Sequence, residues 1–152
     1  MSDALDVSLR LVKAQTALVR RFDSRLGALY GVSLADFLVL LHLGRAEGGR
    51  MRRVDLAGAL GLTASGVTRG LAPLERIGLV ERETDARDAR VAYAALTDAG
   101  RERLAHALKA AEQVAADVFA APEWVDGDLG ELGGLLARLG ATGLPEDHAP
   151  EA

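Results

Sequence analysis

The chain has 152 residues, 49% of them hydrophobic, and a formal net charge of −4. That is enough apolar material for one folded domain with its own core, and the overall acidity argues against simple charge-driven adhesion to nucleic acid. With no cysteine, disulfides, thiolate metal sites, thiol nucleophiles and cysteine redox sensing are all excluded.

The opening MSDALDVSLR lacks the basic start and apolar run of a secretory signal. No stretch approaches the roughly 20 apolar residues of a membrane span, so a cytoplasmic protein with no membrane partner is expected. The charge is unevenly spread. The net negative charge is concentrated in residues 122–152, whereas 50–103 are slightly basic and every cation there is an arginine, the side chain suited to forked contacts with phosphates and base edges.

The first predicted element is a helix over about 5–29. Leu11, Leu18, Phe22, Leu26 and Leu29 recur at helical spacing, and Leu5, Leu9, Val12 and Val19 add a second stripe, so this helix is expected to have two partners. Ser33 reads as the N-cap of a second helix with Asp36 three residues on; Leu34, Phe37, Leu38 and Leu41 mark its apolar face, and its end is expected near Gly48-Gly49. A third helix covers about 52–60, closed by a left-handed turn at Gly61. Thr63 caps a fourth, with Val67, Leu71, Leu74 and Ile77 expected inside and Ser65, Thr68, Arg69 and Arg76 outside. Pro73 falls within it and predicts a bend, since it removes a hydrogen bond to the carbonyl of Arg69. Two short helices around a glycine turn, the second with a polar and basic face, have the layout of a helix-turn-helix, although a solvated surface helix would show the same pattern.

GLVERETD and RVAYAALT alternate like strands about a charged tip and predict a hairpin, with Val91 and Tyr93 on one face and Leu96 on the other. Thr97 caps a long helix from Asp98 to about Ala121, striped by Leu104, Leu108, Ala111, Ala115 and Val118 and ended with the help of Pro122. A last helix carries Val125, Leu129, Leu132, Leu136 and Leu139, but its glycines weaken it and imply close packing for support. Residues 141–152 have no apolar pattern and are expected to form a disordered tail.

In order of elements and in wording, residues 5–140 resemble the MarR family of bacterial winged-helix regulators. The specific parts are LAGALGLTASGVTRGLAPLERIGLVER, a helix-turn-helix leading into a wing, and DARVAYAALTDAG, similar to the family's Asp-x-Arg, strand, Leu-Thr-x-x-Gly sequence. The resemblance implies a mainly α fold with a small β-hairpin wing: one domain over 1–140, with the winged helix-turn-helix at about 33–97 and dimerisation helices at about 5–29 and 98–140. It also implies a homodimer binding a pseudo-palindromic operator in double-stranded DNA as a transcriptional regulator, taken here as a repressor. The DNA contacts would be Thr63, Ser65, Thr68, Arg69 and Arg76 from the helices and Arg87, Asp88 and Arg90 from the wing. Counting back from Leu96-Thr97, Asp88-Ala89-Arg90 is the triplet that lines up with Asp-x-Arg, so Asp88 would orient and Arg90 would read a narrow minor groove. Arg87 would touch flanking phosphates and Asp85 would help to close the turn; alone, DARDAR also fits a soluble loop of self-compensating charge.

Rival functions are weaker. The three histidines, His42, His106 and His148, have no metal-ligand spacing, and no phosphate loop or nucleophile elbow occurs, so no enzyme, metal or cofactor is expected. A winged-helix dimer serving protein contacts, or an effector-independent architectural DNA binder, remains the alternative. From the resemblance, a small aromatic or phenolic effector would bind where the dimer helices meet the DNA-binding lobe, near Phe22, Tyr30, Phe37 and His42, with Arg21 or Arg25 alongside. His42, close to an apolar helix face, reads first as a core histidine.

Overall fold

The computed structural model describes residues 2–85 and 91–140. Helix α1 (Asp3–Tyr30) starts at Ser2, whose side chain accepts from the Leu5 amide, and stops at Gly31. Only Leu26 in it is buried; Phe22 and Tyr30 are half-buried against the core, and the first half projects beyond it. Helix α2 (Leu34–Arg45) follows at once. Ser33 and Asp36 form the expected reciprocal cap, and the Leu34 amide donates to Asp23 Oδ1 at 2.7 Å, tying the start of α2 to α1. Phe37, Val39, Leu40, Leu41 and Leu43 make α2 the centre of the core. It ends at Arg45, sooner than expected, because a 3-10 turn at Glu47–Gly49 takes over.

A short strand absent from the sequence reading comes next, β1 (Arg50–Arg52), and leads directly into α3 (Arg53–Leu60). Gly61 at φ 63 makes the left-handed turn, and α4 (Ala64–Arg76) begins on the Thr63 cap. Strands β2 (Val80–Thr84) and β3 (Ala92–Leu96) form the wing stem. The sheet therefore has three antiparallel strands in the order β1-β3-β2, with Met51 opposite Ala94 and Arg82 opposite Ala94 on the other side. Val80, Ala94 and Leu96 turn inward beneath α2.

Helix α5 (Asp98–Phe119) starts on Thr97 and packs along α1 and α2. Its buried seam is Ala107, Ala110, Ala111 and Val114, whereas the expected Leu104, Leu108, Ala115 and Val118 are half-buried; small side chains let the helices approach closely, and the longer ones flank the contact. Helix α6 (Asp128–Arg138) has no buried residue, so among the described residues the expected close packing is not made. Ile77 is a further departure: α4 stops at Arg76, and Ile77 caps it with 54% of its surface exposed. The result is mainly α with a small sheet, a winged helix-turn-helix flanked by terminal helices, as expected. The tail at 141–152 and the wing residues Arg87, Asp88 and Arg90 lie outside the described residues.

Candidate nucleic-acid interface

Helix α4 is sharply two-sided. Val67, Leu71 and Leu74 are at most 2% exposed, and burying each contributes about 1.5–3 kcal/mol, enough to fix the helix rotation. That rotation leaves Ser65, Thr68, Arg69 and Arg76 in solvent. Thr68 Oγ1 donates to the Ala64 carbonyl at 3.0 Å, which anchors its rotamer and leaves its oxygen able to accept. Thr63 is exposed, but its hydroxyl accepts from the Gly66 amide at 3.1 Å, so its first task is capping. Pro73 lies in the exposed last turn of an unbroken α4, and the Ile77 amide donates to its carbonyl at 3.1 Å. The two helices of the motif are locked by an ion pair between Arg53 and Glu75, both side chains largely shielded from water.

The wing is hooked to the helix-turn-helix at its base. Thr97 Oγ1 donates to the Gly78 carbonyl at 2.6 Å and accepts from the Gly100 amide at 3.0 Å, while the Thr97 amide donates to the Leu79 carbonyl at 3.2 Å. One residue thus ends β3, caps α5 and grips the turn leaving α4. At the far end, the Asp85 amide donates to the Val91 carbonyl at 3.1 Å and closes the hairpin stem.

Three arginines that the sequence reading assigned no role stand between helix and wing. Arg50 donates to Glu83 Oε2 at 2.8 Å and lies over the Tyr93 ring, 4.9 Å from its centroid. Arg52 lies opposite Tyr93 in the β1–β3 register, and Arg53 is the Glu75 partner. The charged state of Arg50 is favoured chiefly by its hydrogen bond to Glu83, and that of Arg52 chiefly by the neighbouring Tyr93, with help from Asp55 and Asp85. The only signal in the sequence was the run RMRR, and its roles separate only once β1 pairs with β3.

The four residues suggested for an effector are not gathered around one cavity. Phe37 and His42 are buried in the core, and burial, followed by the charge of Arg45, pushes the His42 pKa below its ordinary value. Phe22 packs half-buried on the same core. Tyr30 does line a cavity of about 450 Å³ with Ile77, Leu79, Arg103 and His106; its ring stacks on His106 at 6.3 Å, and Arg103 donates to its carbonyl. Arg21 and Arg25 border a separate groove of about 800 Å³ between α1 and α5. Among the described residues there is no cluster of three or more metal-ligating side chains, and no single helix is long and apolar enough to cross a membrane.

Residues 30–91, from the end of α1 to the start of β3, match the MarR family model. The chain is similar in structure to BldR, a transcriptional regulator from Sulfolobus solfataricus, at 27% identity and a TM-score of 0.75, over 91% of this chain and 99% of that one. It is similar to AbsC, a MarR family transcriptional regulator from Streptomyces coelicolor, at 28% identity and a TM-score of 0.74, over 92% and 94%. It also resembles Sco3205, another MarR family regulator of Streptomyces coelicolor, solved in complex with DNA, at 25% identity and a TM-score of 0.81, over 100% and 95%. A comparison with curated proteins gives no match. With the family model matching across the helix-turn-helix and into the wing, and regulators of that family sharing the fold along nearly the whole chain, the protein is similar to MarR family transcriptional regulators.

Proposed function

We propose that the chain is a sequence-specific transcriptional regulator, a repressor that binds a pseudo-palindromic site in double-stranded DNA as a homodimer in the cytoplasm. The observation that carries this reading is α4 itself: a helix clamped by three buried side chains and an ion pair, presenting Ser65, Thr68, Arg69 and Arg76 beside a hairpin. Such a face can enter a major groove while the hairpin reaches the adjacent minor groove. The complex of Sco3205 with DNA supports the same use of the fold. Release by a small aromatic or phenolic effector fits the cavity at Tyr30, where α1, α5 and the turn after α4 meet, because a ligand there would favour one spacing of the terminal helices and the DNA-binding lobe.

Selection of bound duplexes from a random pool tests the reading and yields the site. On that site Thr68→Ala and Arg69→Ala should each weaken binding by about 1–3 kcal/mol and relax sequence preference. Equal losses on the selected site and on unrelated DNA would mean that the two side chains touch only phosphate.

A further inference from the structure

Between α4 and the wing stem lies a depression lined by Arg52, Arg53, Val54, Ala64, Thr68, Val91 and Ala92. Its walls come from four elements, β1, α3, α4 and β3, and its two ends are the exposed face of α4 and the first residues of β3. Its lining is largely apolar, and Val54, in the first turn of α3, is 68% exposed.

The three arginines beside it are differently engaged. Arg50 is neutralised by Glu83 on the outer face of the sheet, and Arg53 by Glu75 inside the motif. Arg52 is exposed, lies opposite the uncharged Tyr93 across the β1–β3 pair, and forms no ion pair among the described residues. A guanidinium has five N–H donors in a planar fork that matches a phosphate.

We propose that this depression seats one sugar–phosphate strand of the duplex as it passes from the recognition helix to the wing, with Arg52 binding a phosphate and Val54 packing on the adjoining deoxyribose. The surface has the two properties that such a strand asks for: a cation at the rim for the phosphate and an apolar floor for the sugar. It is continuous with the α4 face and the wing, so this inference rests on the DNA-binding reading above. A phosphate contact of this kind fixes register and carries no base information.

The test uses the full chain with the duplex selected from a random pool and a duplex of unrelated sequence, titrated between about 50 and 200 mM salt. Arg52→Ala should make the slope of log affinity against log salt shallower by about 0.9, the signature of one lost phosphate contact, and weaken both duplexes by the same factor. Arg50→Ala should leave the slope unchanged, because its charge is already spent on Glu83. Val54→Asp, at an exposed position that folding does not use, should weaken both duplexes through repulsion of the strand. If the wild-type chain binds DNA with steep salt dependence but Arg52→Ala keeps the wild-type slope, or Val54→Asp binds as tightly as wild type, the seat is wrong while DNA binding stands. If the wild-type chain itself shows no salt-dependent binding, the functional reading fails first and takes the seat with it.

Discussion

Gly100 is the third residue of α5, and a Cβ there would run into the carbonyl oxygen of Leu79 and crowd Leu96 Cδ2 at 3.0 Å. Backbone cannot step aside as a long side chain can, and that same carbonyl accepts from the Thr97 amide, so the Thr97 hook and the bare Gly100 are one device. Gly100→Ala should therefore destabilise the fold by about 3 kcal/mol, although alanine is the better helix former. Gly58→Ala, on an exposed stretch of α3 with nothing within 4 Å of a new Cβ, should instead stabilise it by about 0.4–1 kcal/mol. Urea denaturation midpoints of the two variants should move in opposite directions, and a raised midpoint for Gly100→Ala would show that the hook can open at little cost. Thr97 was legible as a cap from LTDAG alone, because capping is local. The close approach at Gly100 was not, because Leu79 arrives from a turn twenty residues earlier.

Among the elements, those with local signals were readable. Ser33, Thr63 and Thr97 each cap the helix they precede, and Gly61 makes the left-handed turn expected of it. Strand β1 was not, since Arg-Met-Arg has no apolar run to announce it and is a strand only through its pairing with β3. The seam of α5 was legible only in part: Ala111 is buried and Leu104 and Leu108 pack against the core, but Ala107, Ala110 and Val114 escaped notice, because leucines draw attention in a sequence whereas closely packed helices bury their alanines. Ile77 continued the periodicity of α4 on paper, but the helix ends one residue before it. The wing tests the readings that sequence counting alone supports. The stem carries the chain to Thr84 and back from Ala92, and Arg87, Asp88 and Arg90 fall between. Arg90→Ala should weaken DNA binding most on sites with A·T-rich flanks, where a narrow groove focuses the negative potential. Asp88→Ala should resemble a milder Arg90→Ala, even though deleting an acid near DNA would by simple electrostatics tighten binding. Electrophoretic titration of the two variants decides it: tighter binding by Asp88→Ala would assign the orienting and reading roles to the wrong triplet.

At the scale of the molecule, a single chain leaves too much apolar surface without cover. Leu5, Val7, Leu9 and Val12 on α1 and Leu129, Leu135 and Leu139 at α6 are each about half exposed or more. Helix α6 poses the sharper problem. An eleven-residue helix in water is marginal even for strong helix formers, and Gly130, Gly133 and Gly134 each cost it about 1 kcal/mol relative to alanine. Among the described residues nothing covers it, and a second copy with the same exposed stripes would be a self-complementary cover. Sedimentation at micromolar concentration should then show one species of twice the 16.0 kDa chain mass, with residues about 5–29 and 104–139 forming the contact. Leu129→Asp separates the alternatives, since Leu129 is 54% exposed in the isolated chain. A monomer would tolerate the change with little loss of stability, because little of that side chain is withdrawn from water. A dimer would bury the new carboxylate against apolar neighbours without a counter-charge, and should dissociate and lose its palindromic site together. A wild-type monomer, or a Leu129→Asp variant that sediments and melts as the wild type does, would remove α6 from any interface and leave its stability without an account.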